Sequence, residues 1–299
     1  MNWLWPALLA PLFWSACNIF DSKLQKEHVR NSVSLAIYTG LLGLLGLVII
    51  PWTGFTFLTG KATILALLSG MVYVYAMVPY YKALDQEEAS RVVTLWHLTK
   101  AWMPLLAFLF LGERLGNWEY LAFCLIIISS LLISARRESK HFVLSRALVM
   151  AIIAGVLFQA YYLLQKPVYV DFKFWEVFLW VRFGSVLGAI TLLFIPSYYR
   201  AFRDSVKSLS AKPASMLFAT EGLNLVGTLL ISLALASGPV SLILALNSFQ
   251  AAYIFVIAVV LSLFFPKVYK ENLKGFALIS KIIAVGLMVA SLFILNLKA

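Results

Sequence analysis

The chain has 299 residues, 62% of them hydrophobic and 12% charged, with a mean hydropathy of +0.91 and a formal net charge of +11. A soluble domain is about 45–50% apolar and about 25% charged, so this composition excludes a cytosolic enzyme, a disordered chain and a secreted disulfide scaffold. Long continuous apolar runs, in place of alternation over segments of about ten residues, exclude a β-barrel and leave an all-α integral membrane protein.

A spanning helix takes roughly 20 apolar residues. Ten segments meet or approach that length, and we number them as spans 1 to 10. Span 1, Trp3–Phe20, has no basic residue before Lys23 and reads as a retained span, not a signal peptide. It carries Trp14, Asn18 and Asp21 at i, i+4, i+7. Span 2 is Ser32–Pro51. Span 3, Ala62–Tyr81, repeats Gly70, Tyr73, Met77 and Tyr80 on one face. Tyr80, Tyr81 and Trp3 lie near span ends, where aromatic residues form interface belts.

Span 4, Val92–Leu111, holds Lys100 near its middle, with Trp96, His97, Met103 and Pro104 on the same face and Thr99 adjacent. A lysine at that depth must find an anion, give up its proton or face water. Span 5 is Trp118–Ile133. Span 6, Phe142–Leu164, brings Gln159 and Tyr162, with Lys166 just beyond it. Span 7, Phe174–Ile195, contains Arg182, read first as an inter-helix anchor or headgroup contact. Span 8, Ala214–Ala236, contains Glu221, with Asn224 and Thr228 on one polar stripe. Span 9, Val240–Phe265, carries Ser241, Asn247, Ser248 and Gln250. Span 10, Leu273–Leu295, contains Lys281, which can snorkel.

The links between spans are short and hold most of the Lys and Arg. Such loops suit anionic lipid headgroups and give no reason to invoke nucleic acid. Cys17 and Cys124 fall inside spans and read as buried packing residues. There is no Ser/His/Asp set, no metal-ligand spacing and no cofactor motif, so we expect no enzyme, no metal and no cofactor. A membrane enzyme acting on a lipid, the reading from a different class, would cluster its polar residues near one interface; a passive channel is a third.

The chain also repeats itself. A shift of 144 residues places Leu8-Leu9-Ala10 over Ile152-Ile153-Ala154, Val33 over Val177 and Gly40 over Gly184. A shift of 151 places Lys61 over Lys212, Ala83-Leu84 over Ala234-Leu235 and Ala107 over Ala258. The change of offset fits one insertion around Ser197–Lys212. Two halves of five spans follow, residues 1–140 and 141–299. Five is odd, so the second half enters the membrane inverted. Inverted repeats of this kind are the architecture of many secondary transporters, with the substrate near the midplane between the halves.

Tyr81-Lys82-Ala83-Leu84, Ala89-Ser90, Leu105-Leu106-Ala107 and Leu111-Gly112-Glu113-Arg114-Leu115 resemble the third-to-fifth-span signature of EamA domains. Ala234-Leu235, Gly238-Pro239-Val240-Ser241 and Ala245-Leu246-Asn247-Ser248-Phe249-Gln250 are similar in the second half. The chain thus resembles the drug/metabolite transporter superfamily, built from two EamA repeats. The resemblance implies a ten-span bundle with a central cavity lined mainly by spans 1, 3, 4, 6, 8 and 9. It implies alternating-access transport of small metabolites: amino acids, nucleotide sugars, phosphorylated sugars or drugs. The sequence departs from the pattern in span 4, where Lys100 replaces the usual Pro and Pro104 follows one turn later.

The candidate cavity residues are therefore Lys100, Glu221, Trp96, His97, Thr99, Asn18, Trp14, Tyr73, Gln159, Tyr162, Asn224, Asn247 and Gln250. Two accounts of Lys100 and Glu221 stay open. They form an internal pair joining spans 4 and 8, or they face the cavity and bind substrate, with Glu221 as the candidate carrier of a coupling proton. The expected substrate joins an anionic group, facing Lys100, to an apolar or aromatic body, and a zwitterionic amino acid fits first. We expect a monomer in a bacterial cytoplasmic membrane, in contact with lipid. Lys and Arg concentrate in loops after odd-numbered spans, which by the charge rule places both termini outside. The resemblance implies both inside.

Overall fold

A computed structural model describes residues 3–29, 31–86, 92, 96, 98–134, 146–264 and 276–298. His97, the one histidine assigned to a span, lies outside the described residues. The described chain is helical, with no strand among the described residues. Helix α1 is Leu4–Lys23 and runs into a π turn at Leu24–His28. Helix α2, Ser32–Leu42, continues through a 3-10 segment Gly43–Ile49 and a final turn Ile50–Thr53. Its start is fixed by Asn31, whose side chain accepts from Val33 N and Ser34 N at 3.0 Å each, satisfying donors that a helix N-terminus leaves free.

Helix α3 is Gly60–Gln86 and helix α4 is Met103–Leu111, preceded by a 3-10 turn at Lys100–Trp102. Helices α5 (Asn117–Ser134), α6 (Arg146–Asp171) and α7 (Phe174–Leu193) follow. Then come α8 (Pro196–Ser208), α9 (Ala211–Ser237), α10 (Val240–Leu246), α11 (Phe249–Phe264) and α12 (Phe276–Lys298). Among the described residues, six stretches are long and apolar enough to cross a membrane: Ser32–Thr53, Gly60–Gln86, Arg146–Asp171, Phe174–Leu193, Ala211–Ser237 and Val240–Ile257. Lys100–Leu111, Asn117–Leu132 and Ile282–Leu295 are shorter apolar helices. Large apolar side chains such as Leu109, Phe110 and Phe194 point outward, as in a protein solvated by lipid.

Three features differ from expectation. The fourth span is broken at Lys100, because Pro104 has no N–H to return to the Lys100 carbonyl. That carbonyl instead accepts from Met103 N three residues on, tightening the turn. The ninth span is likewise broken at Asn247-Ser248, between α10 and α11. Cys124 is exposed, whereas Cys17 is buried; the phase of α5 turns Ala122, Phe123, Ile126 and Ile127 inward instead.

The link read as a plain insertion is the helix α8. It folds Phe202 against Tyr38, with ring centroids 4.9 Å apart, and leaves Arg200, Arg203 and Lys207 exposed along one side. Spacing of i, i+3, i+7 puts these cations on one face, the pattern of a helix lying at a headgroup surface.

Helix α3 lies most closely on α6 and α7, α1 on α9, and α5 on α12, while α2 packs on α3 and α7. Glycine and other small residues let α3 and α7 touch backbone to backbone. A Cβ at Gly70 would meet Ser185 N and Gly184 C, and one at Gly188 would stand 2.9 Å from Met71 Cα. Close approach through small residues is how helices associate in lipid, where burial of apolar area gives little drive.

Candidate functional site

The pairing of α1 with α9 and of α3 with α6 leaves a small cavity of about 50 Å³ at the centre. Pockets that bury a drug-sized ligand run to roughly 300–1,000 Å³, so this cavity has room for a small solute. Its wall is formed by Trp14, Cys17, Asn18 and Asp21 from α1, by Tyr73, Met77, Tyr80 and Tyr81 from α3, and by Phe158 and Tyr162 from α6. Trp96, Thr220, Glu221, Asn224 and Gln250 complete it.

One polar network organises the wall. The Glu221 carboxylate accepts from Thr39 Oγ1 at 2.5 Å and from Asn224 Nδ2 at 3.0 Å. Asn224 Nδ2 also donates to Tyr73 OH at 2.8 Å, and Asn224 Oδ1 accepts from Trp14 Nε1 at 3.2 Å. Thr39 Oγ1 and Tyr81 OH lie 3.2 Å apart, and Tyr81 OH donates to Asp21 Oδ1 at 3.5 Å. Two buried carboxylates, one from each half of the sequence, are thus joined through Tyr81 and Thr39. Opposite stands an aromatic wall. Trp96 stacks on Phe158 with centroids 4.5 Å apart, and Tyr80 meets Trp96 edge-on at 5.4 Å.

Of the residues singled out in the sequence, Trp14, Asn18, Tyr73, Trp96, Tyr162, Glu221, Asn224 and Gln250 meet in this cavity. Lys100 is buried but does not line it; its Nζ lies 5.7 Å from the Trp96 ring centroid. Thr99 and Gln159 form the adjoining helix contact, where Gln159 Nε2 donates to Thr99 O at 2.7 Å. Asn247 hydrogen-bonds Tyr162 from the break between α10 and α11. Arg182 is buried, its guanidinium 5.5 Å from the centroids of both Tyr73 and Phe178.

Sequence reasoning missed Asp21, Tyr80, Tyr81 and Thr220. Tyr80 and Tyr81 are not belt residues. Both are buried, and Tyr80 OH donates to Asn18 Oδ1 at 2.7 Å. The signal existed for Asp21 and Tyr80, since each continues a helical stripe already counted. Proximity to a span end outweighed it.

The Leu111-Gly112-Glu113 segment has a structural explanation outside the cavity. Gly112 takes a positive φ of 67° and ends α4, a conformation glycine adopts at little cost. The chain then turns so that Glu113 accepts from Val240 N at 2.7 Å and Ser241 N at 3.0 Å, capping α10. Lys166 Nζ donates to Leu235 O at 2.6 Å and Gly238 O at 2.7 Å, closing the end of α9. The junction between α9 and α10 is therefore held from both sides. Glu113→Ala is expected to cost about 1 kcal/mol, the usual worth of a helix cap, read as a lower midpoint of thermal unfolding in detergent. An unchanged midpoint would show that solvent replaces the cap.

No curated protein matches the chain. A solved crystal structure is similar to it at 14% identity, with a TM-score of 0.61, covering 100% of this chain and 98% of that one; a likeness at this identity concerns the fold. Residues 1–135 match the model of the EamA-like transporter family. That match falls on the half containing α1, α3 and the Gly112-Glu113 turn. Over residues 1–135 the chain is thus similar to the EamA-like transporter family, which belongs to the drug/metabolite transporter superfamily.

Proposed function

We propose that this integral membrane protein is a ten-span, two-repeat secondary transporter, residues 1–140 and 141–299, that moves a small metabolite outward by alternating access. The substrate is an amino acid or a related zwitterion, exchanged for a proton carried at Glu221, and the membrane is the cytoplasmic membrane of a bacterium. The observation that carries this reading is the central cavity, in which Glu221 belongs to a hydrogen-bond network drawn from α1, α2, α3 and α9. A cavity walled by helices of both halves is where a transporter of inverted repeats binds its cargo.

The helix pairing supports the two repeats. Exchanging the halves turns the α1–α9 contact into the α6–α3 contact and maps the α5–α12 pair onto itself, and both pairs are extensive. The breaks at Lys100–Trp102 and Asn247-Ser248 fall in matching spans, and interrupted helices are a feature of such sites. The small cavity favours a metabolite over a drug-sized cargo. In this arrangement a zwitterion sets its ammonium at Glu221 and its carboxylate toward Lys100, behind Trp96.

Purified protein in proteoliposomes tests the proposal. An imposed pH gradient is expected to drive accumulation of a radiolabelled amino acid, and Glu221→Gln is expected to abolish the gradient's effect. Transport indifferent to the gradient in both proteins would leave uncoupled facilitation as the mechanism.

A further inference from the structure

Among the described residues, the charged groups that line the cavity are of one sign. Asp21 and Glu221 line it, whereas Lys100 and Arg182 do not. Arg182 stands against Tyr73 and Phe178, and Lys100 against Trp96. Acidic residues alone do not make a site, but two further residues that line the same cavity each carry a polar atom with no hydrogen-bond partner among the described residues. Asn18 is 8% exposed; its Oδ1 is taken by Tyr80, and its Nδ2 has no hydrogen-bond partner among the described residues. Thr220 is 3% exposed and its Oγ1 is likewise unpartnered among the described residues. A buried amide N–H without an acceptor is costly, so a ligand that supplies an oxygen there is favoured.

We propose that Asp21 and Glu221 form an ammonium-binding site, and that the substrate is a small primary amine with an oxygen acceptor beside the nitrogen and an apolar body. The ammonium has three donors to offer, and the two carboxylates retain lone pairs beyond their present bonds. Attraction between opposite charges strengthens where the effective dielectric falls well below that of water, so carboxylates here select a cation. Asn18 Nδ2 and Thr220 Oγ1 take the neighbouring oxygen. The faces of Trp14, Tyr73, Tyr80 and Trp96 favour both a cation and an apolar chain. This assignment deepens the transporter reading and depends on it only for taking this cavity as the substrate site. It differs in making the amine necessary and the carboxyl group dispensable.

The test is equilibrium binding to the purified full chain by isothermal titration at pH 7, with three ligands that share one body: leucinol, leucine and 4-methylpentanoate. Leucinol and leucine are expected to bind, and 4-methylpentanoate, which lacks the amine, is expected not to. Asp21→Asn and Glu221→Gln preserve shape and are each expected to weaken leucinol binding at least tenfold. Their thermal melts, read in parallel, establish that they fold. Binding of 4-methylpentanoate as tight as that of leucinol would overturn the assignment. So would undiminished leucinol binding in both folded carboxamide variants, or failure of all three ligands to bind at millimolar concentration. Intact binding of leucinol with no transport would instead overturn the transporter reading and leave the ammonium site standing.

Discussion

Leucine in place of Gly184 is expected to leave no folded protein. A Cβ at that position would stand 2.8 Å from Leu67 Cα and 2.9 Å from Leu67 C, and closer still to Leu67 O. These are backbone atoms of α3, so no rotamer change can relieve the overlap. Ordinary overpacking costs about 1–3 kcal/mol because side chains shift; here the two helices themselves must separate. Their separation would also break the contacts at Gly70 and Gly188, which lie on the same crossing. Helix α3 carries Tyr73, Met77, Tyr80 and Tyr81, so the cavity wall would move with it. Gly222→Leu is the control, since a Cβ there meets nothing within 4 Å. Size-exclusion profiles of the two variants in detergent are expected to separate them, with Gly222→Leu monodisperse and Gly184→Leu aggregated. A monodisperse Gly184→Leu with an unshifted melting point would show that the α3–α7 contact is not as close as described.

The cavity was partly legible because one kind of signal survives in a single dimension. Trp14, Asn18 and Asp21 recur at helical spacing, and all three meet at the cavity. Tyr73, Met77 and Tyr80 do the same on α3. Periodicity reports which residues share a face, but not which face meets which. Lys100 and Glu221 look like natural partners by charge, yet the carboxylate is held by Thr39 and Asn224. Thr39 is a small residue in an apolar span, and nothing in its neighbourhood marks it. The belt rule for Tyr80 and Tyr81 failed because depth cannot be read from distance to a span end when α3 runs for 27 residues. Helix α8 was hidden because its charges, taken one by one, read as a loop; only its alternation of Phe202 and Ser205 with Arg200 and Arg203 marks two faces.

Asn224→Leu is expected to fold, to melt at a lower temperature and to lose leucinol binding. Leucine keeps the four side-chain heavy atoms and the branch at Cγ, so the shape of the side chain is largely kept. What changes is the network, because Asn224 serves Trp14 Nε1, Tyr73 OH and Glu221 together. An interhelical hydrogen bond in a membrane protein averages only about 0.6 kcal/mol, which for Trp14 and Tyr73 predicts a modest loss. Glu221 is different. Removing a donor from a buried carboxylate leaves charge-assisted capacity unmet, a cost on the order of 2 kcal/mol, and that term decides the outcome. Thr39→Val removes the other donor to the same carboxylate and is expected to cost a similar amount. The double variant separates two possibilities. If each donor acts alone, the melting shifts add. If the network positions Glu221 as a unit, the second substitution costs much less than the first, because the carboxylate has already been released. We expect the second result, with leucinol binding lost in each single variant. Additive shifts with binding retained in both single variants would mean that Glu221 keeps its place without this network.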